Sequence, residues 1–236
     1  AKAGLPTAVA NRVSRAALIK SAETVRPSPL SGRRRRELAR QTRRLSATGP
    51  VSLETARQPD DVRLALEDFF SLEASGWKGR ARTALIIDRY RSAFAREAIN
   101  ALAQDDRVRI YTLKTGSRPV ASLVVLVDRG QAYTWKTAYD EAFAATSPGQ
   151  QIVAAATQAL LADPAVERAD SCTVPDHFVM NRFWTDRIAV GTIVVGLTQE
   201  TGGRVDKVAR GLASMRRSRN LARIMRQRVQ GMLSFR

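Results

Sequence analysis

The stretch WKTAYDEAFAATSPGQQI, Trp135 to Ile152, gathers an indole, an ammonium group, a phenol and two carboxylates into seven residues before passing through Ser-Pro-Gly into an apolar helical pattern. Tyr139 can donate a proton and Asp140 or Glu141 can accept one, the pairing that general acid–base transfer requires. Next to them, Ser147-Pro148-Gly149 has the residue types of a helix opening, with Ser at the N-cap and Pro at the first helical position. The N–H groups of such a first turn, backed by the helix dipole, attract anions, and a pyrophosphate suits them. The plainer readings are a ligand-free helix start and a packed Trp and Tyr beside a solvated acidic pair.

A second group, DSCTVPDH from Asp170 to His177, holds the only cysteine, Cys172, and the only histidine, five residues apart. Cys172, His177 and an Asp have the residue types of an activated nucleophile. Alternatively His177, with Asp170 or Asp176, is a general base or a substrate contact. A structural histidine and a small cysteine buried in an apolar strand are the third reading. One cysteine and one histidine exclude an internal disulfide framework and a Cys- or His-rich metal centre, so no metal is expected. A reducing, cytoplasmic setting follows, and no apolar run approaches the roughly 20 residues that span a bilayer.

The elements that must position these groups are legible from periodicity. RRRRELARQTRRL, from Arg33, reads as a basic helix ending near Gly49-Pro50, and VSLET as a short strand. Val62, Leu66, Phe69 and Phe70 share one helical face, and a second helix is expected to bury Ile87, Tyr90, Phe94, Ala98 and Leu102. RVRIYTLK (107–114), PVASLVVLV (119–127) and QAYTWKTAY (131–139) are strands joined by short Gly-containing turns, an antiparallel meander. Alternation places Trp135, Thr137 and Tyr139 on one face of the last strand and Lys136 and Ala138 on the other. A helix over about 149–162, a strand in AVERADSCTV, a short helix from Phe178 to Trp184 and a strand in IAVGTIVVGLT complete an α/β (α+β) body on a mostly antiparallel sheet.

The net charge of +17 is unevenly spread: +10 over residues 1–50, −2 over 51–200 and +9 over 201–236. The body is near neutral and the basicity belongs to the ends, which makes nucleic acid an unlikely partner for the body. Residues 1–32 read as a linker. Residues 201–236 read as a basic amphipathic helix, with Leu212, Met215, Leu221, Ile224, Met225, Val229 and Met232 near one face, suited to an anionic membrane surface, to the phosphates of a nucleic acid or to docking on the domain.

Taken in order, RRRRELARQTRRL, LEASGWKGRARTAL (Leu72 to Leu85), WKTAYDEAFAATSPGQ and ADSCTVPDHFVMNRFW resemble the GNAT-fold acyltransferases, within them the CelD-like cellulose-biosynthesis branch related to the Fem-type aminoacyltransferases. The resemblance covers about residues 33 to 197 and implies a GNAT-like domain over 33–200. It implies acetyl-CoA or another acyl-CoA as co-substrate, with the pyrophosphate on Ser147, Pro148, Gly149, Gln150 and Gln151. The acyl-pantetheine would lie along Trp135, Lys136 and Thr137, and Tyr139, Asp140 and Glu141 would face an amine acceptor on a small molecule or glycan. Transfer would be direct, in polysaccharide or cell-envelope metabolism. Relatives in this branch carry two GNAT repeats, so the resemblance also implies pairing with a second repeat, of which residues 1–32 would be the tail. The alternative is a catalytically degenerate GNAT-fold module that recruits membrane or partners through its Arg-rich ends.

Overall fold

The structure, a computed structural model, describes residues 4–20 and 31–233, with side chains described as far as Arg219. The strands are β1 (Thr7–Ile19), β2 (Val51–Ala56), β3 (Val108–Thr115), β4 (Arg118–Asp128), β5 (Gly130–Tyr139), β6 (Val166–Asp170) and β7 (Asp186–Val195). The helices are α1 (Gly32–Ser46), α2 (Pro59–Ser75), α3 (Trp77–Arg80), α4 (Arg89–Gln104), α5 (Pro148–Ala162), α6 (Phe178–Phe183) and α7 (Gly202–Leu233). The strands form one mixed sheet in the order β2-β3-β4-β5-β6-β1-β7. Among the pairings described, only β5–β6 is parallel; β2–β3, β3–β4, β4–β5 and β1–β6 are antiparallel. The expected meander is therefore present.

The chain divides into two compact units, and the larger is Arg15–Ile188. Its sheet is covered on both faces, which is why β3 and β4 are buried along nearly their whole length rather than at alternate residues. Leu123 and Val125 of β4 pack with Ile152, Ala156 and Leu160 of α5, Leu45 of α1 and Trp184 on one face. Val124 and Ile110 pack with Val62, Leu66, Phe69 and Phe70 of α2 and Ala95, Ile99 and Ala103 of α4 on the other. Buried Arg109 bonds Asp163 and Asp106, which neutralise it inside the fold.

Two expectations are corrected here. Residues 1–32 are not simply a linker, because Thr7–Ile19 is a strand whose end, Ala17–Ile19, pairs with Asp170–Arg168. The Pro-containing part of that segment, residues 21–30, lies outside the described residues. On α4, Tyr90 and Phe94 are each 71% exposed, and Ser92, Ala95, Ile99 and Ala103 are buried instead. Small residues let the helix approach the sheet closely, which the aromatic stripe would prevent.

The smaller unit comprises Ala1–Ser14 and Ala189–Arg236. In it, the Gly196 N–H donates to Pro6 O and Gln199 Nε2 to Gly4 O. Val9 lies so close to Gly191 that a Cβ there would meet Val9 Cγ1 at 2.9 Å. Along α7, Leu212 is half-buried and Met215 is exposed, and the remaining apolar positions of its expected stripe lie outside the described side chains.

Candidate active site

The cleft arises where β5 outruns its neighbour. β5 is parallel to β6 from Gly130 only as far as Tyr133↔Asp170, and then continues alone to Tyr139. On its other side, pairing with β4 shifts from Val124↔Lys136 to Val125↔Thr134, so Trp135 is the extra residue of a β-bulge. The bulge reverses the facing of the strand. Ala132 belongs to the α5 core, whereas Ala138, an even number of residues later, belongs to the α2 core. Beyond the bulge, Tyr139 lies against Gly149 of α5 and Lys136 reaches Glu73 of α2.

The result is a cavity of about 650 Å³ whose lining includes Thr134 to Thr137, Tyr139, Ser147 to Gln150, Cys172 and His177. Two lining residues that are not glycine, Ser147 (φ 51°) and Cys172 (φ 49°), adopt left-handed backbone, a strained conformation that clusters at functional sites. Among the described residues, no Asp or Glu lines the cleft and two lysines, Lys78 and Lys136, do.

The expected helix opening lies at the start of α5, but without the expected serine cap. Ser147 does not cap the helix through its side chain; its Oγ accepts from Gln41 Nε2 at 3.2 Å, because left-handed backbone turns the hydroxyl toward α1. Pro148 brings no N–H, and the N–H groups of Gln150 and Gln151 donate to Ser147 O. Gly149 supplies the remaining N–H of the turn, and its lack of a side chain is required by the ring of Tyr139, since a Cβ would stand 3.3 Å from Tyr139 Cδ1. Gln151 is buried and committed elsewhere: its Nε2 donates to Thr146 O and its Oε1 accepts from Thr42 Oγ1. It is therefore removed from the set that can touch a ligand.

The acidic residues of the opening motif do not face the cleft. Asp140 caps the short 3₁₀ turn after β5 by accepting from Ala142 N–H, and pairs with Arg118 at 2.6 Å. Glu141 accepts from Arg80 at 2.7 Å and from the Trp77 N–H at 2.7 Å, and these bonds hold its carboxyl below the ordinary range. Both tie loops together. Asp170 is likewise committed, gripping Arg15 through both oxygens at 2.7 and 2.5 Å.

His177 and Cys172 both line the cleft, but among the described residues no hydrogen bond joins them. The Nδ1 of His177 accepts from Met180 N–H at 3.1 Å and so caps α6, leaving Nε2 as the protonated nitrogen. Burial lowers its pKa. It is a donor toward the cleft, not a ready base, because taking a proton at Nδ1 would break the cap. Cys172 is exposed on a loop after β6 rather than buried in a strand, and partial desolvation of its thiol by the surrounding cleft, with the charge of Asp170, raises its pKa. That is the opposite of an activated nucleophile.

The sequence gives little sign of Glu73. Its side chain is fully buried, its Oε1 accepts from Lys136 at 2.7 Å and Lys78 at 3.0 Å, and its Oε2 accepts from Leu85 N–H at 2.8 Å. Burial opposes its ionisation, but these donors outweigh it and its pKa is lowered. The only sequence signal was its place inside LEASGWKG, one turn before a lysine.

A mixed sheet whose strands part over a helix N-terminus is an architecture suited to a long, phosphate-bearing substrate. The family model described as an acetyltransferase (GNAT) domain matches residues 32–178, and the chain belongs to this family. Solved structures similar to it include the C-terminal domain of a candidate lysylphosphatidylglycerol synthetase from Agrobacterium fabrum, 14% identical, covering 73% of this chain and 49% of that one with a TM-score of 0.47. The chain thus spans about half of that structure's length. Others are a possible acetyltransferase from Clostridium difficile 630 (14% identity, 49% and 74% coverage, TM-score 0.35) and a conserved protein of unknown function from Bacteroides thetaiotaomicron (10%, 77% and 57%, 0.46). A comparison with curated proteins found no match. Among the described residues, no helix is long and apolar enough to cross a membrane and no group of His, Cys, Asp and Glu is arranged to hold a metal.

Proposed function

We propose that the chain is an acyl-CoA-dependent N-acyltransferase that modifies an amine acceptor, with acetyl-CoA as donor, in polysaccharide or cell-envelope metabolism as the CelD-like resemblance implies. The observation that carries the reading is the parting of β5 from β6 after Tyr133, which opens a cleft onto the first turn of α5. The residues present fit such a donor. Gly149 leaves the helix start clear for a diphosphate, and the β6-side edge of β5 beyond Tyr133 has backbone groups with no strand partner to meet an extended pantetheine arm.

Acyl-CoA, when bound, supplies a thioester carbonyl open to attack by an amine. Backbone N–H groups of β5 beyond Tyr133, where β6 no longer pairs, would polarise that carbonyl, as an oxyanion hole does. Tyr139, on the cleft wall, would give a proton to the leaving sulfur as the C–S bond breaks and the C–N bond forms, and would regain one from solvent. The proton lost by the amine passes to water, since His177 is engaged at Nδ1 and no carboxylate among the described residues lines the cleft. Those same two features favour one second reading, a module that binds acyl-CoA without turnover.

Titration calorimetry of acetyl-CoA and CoA into the full chain and into Gly149→Glu tests the site. The variant drives a carboxylate into the proposed phosphate position and a Cβ against Tyr139. Saturable binding lost in the variant is expected; equal affinity in both would refute the assignment.

A further inference from the structure

Two lysines meet at one wall of the cleft around a single carboxylate. Glu73 is fully buried and accepts from Lys136, Lys78 and the Leu85 N–H, so it does not reach a ligand. The ammonium groups are not saturated. Each carries three N–H donors; Lys136 spends one on Glu73, and Lys78 spends one there and one, at 3.4 Å, on Thr137 O. Among the described residues three donors remain, and both side chains stay about a quarter exposed (24% and 25%). The cluster carries one net positive charge in a cleft wall that has no acid among its described residues.

Its position says which substrate meets it. After the bulge at Trp135, Lys136 shares the face of Ala138 and points toward α2, whereas Tyr139 and the start of α5 lie on the other face. A donor anchored at α5 therefore comes from the side opposite the lysines, leaving them to the acceptor. A smaller recess adjoins them, bounded by Leu72, Trp77 (57% exposed), Thr137, the edge of Tyr139 and two carboxylates that are already paired, Glu73 with the lysines and Glu141 with Arg80.

We propose that Lys78 and Lys136 form an anion-recognition pair, held in place by Glu73, that selects an acceptor amine whose own molecule carries a carboxylate. This rests on the acyltransferase reading above. The carboxylate takes the spare ammonium donors through its two oxygens, and the positive wall disfavours the protonated form of the neighbouring amine, so that it arrives as the nucleophile. An amino acid and an amino sugar acid both satisfy that chemistry.

The test uses the full chain with probes paired with and without a carboxylate: glycine against glycinamide, N-acetylglycine against its amide, and muramic acid against its lactyl amide. Ligand-observed NMR, with and without CoA, reads binding, and calorimetry reads CoA affinity on the same samples. The expected result is a preference of about tenfold for the carboxylate of at least one pair. It should be lost in Lys136→Met and largely kept in Lys136→Arg, with CoA affinity unchanged in both. Muramic acid preferred alone assigns a sugar acid, and a glycine pair preferred alone assigns an amino acid. No carboxylate preference in any pair overturns the proposal, as does a preference that survives Lys136→Met, which would place it on the basic ends. Loss of CoA affinity in Lys136→Met also overturns it, giving the lysines to the donor's phosphates. Failure of the wild-type chain to bind CoA would sink the acyltransferase reading instead, and the NMR arm without CoA would still decide whether the anion site exists.

Discussion

Replacing Glu73 by Ala removes the acceptor shared by Leu85 N–H, Lys78 and Lys136, and the cost can be worked from the site. Removing one partner of a buried ion pair costs about 3–5 kcal/mol because the remaining charge is stranded. Here both lysines are about a quarter exposed and can turn to water, which moves the expectation to the lower end, about 3 kcal/mol. For a chain of this size that lowers the melting temperature by about 6–12 °C. Differential scanning calorimetry at neutral pH measures it. The carboxyl has a lowered pKa in the fold, so its stabilisation is present above the unfolded-state value and is lost as pH falls through the folded one. The gap between wild type and variant must therefore narrow in acid. A loss below about 1 kcal/mol at neutral pH, or a gap independent of acidification, would refute the view that a desolvated, ionised Glu73 anchors this wall. Glu73→Gln combined with Lys136→Met should recover part of the loss, since it removes charge from both partners.

Tyr139→Phe should cut acyl transfer by about a hundredfold while leaving CoA affinity intact, because the ring against Gly149 remains and only the proton donor goes; unchanged turnover would acquit the hydroxyl. Protonation of His177 breaks the α6 cap, and burial has lowered its pKa, so its contribution to stability is full above the unfolded histidine pKa and lost as pH falls through the folded one. His177→Asn, which can cap the same N–H, should flatten that part of the stability–pH profile. Iodoacetamide should modify Cys172, the only cysteine, slowly near neutrality and faster as pH rises, given its raised pKa, and saturating CoA should protect it. Equal alkylation with and without CoA would place the donor elsewhere.

Much of the fold was readable because it is written locally. The α2 stripe of Val62, Leu66, Phe69 and Phe70 faces the core as its spacing dictates, and the meander follows from short Gly-containing turns between apolar runs. Of the candidate site, Trp135, Lys136, Thr137, Tyr139, Ser147 to Gln150 and His177 do meet around one cleft, which reflects their clustering at a strand end and a helix start. Asp140, Glu141, Asp170 and Gln151 read equally well as functional residues, and only the fold shows their polar atoms already taken by Arg118, Arg80, Arg15 and Thr42. Glu73 carried almost no signal, since its partners lie up to 63 residues away in the chain.

The sequence by itself determined most of the elements after Arg33, their order and the neutral body between basic ends, because periodicity, turn residues and charge act over a few positions. The tertiary structure decided which stripe of α4 is buried, that Thr7–Ile19 joins the sheet, and that a bulge at Trp135 turns Lys136 toward one face and Tyr139 toward the other. A bulge and a choice between two apolar faces are settled by packing against residues distant in sequence, and no local pattern encodes them.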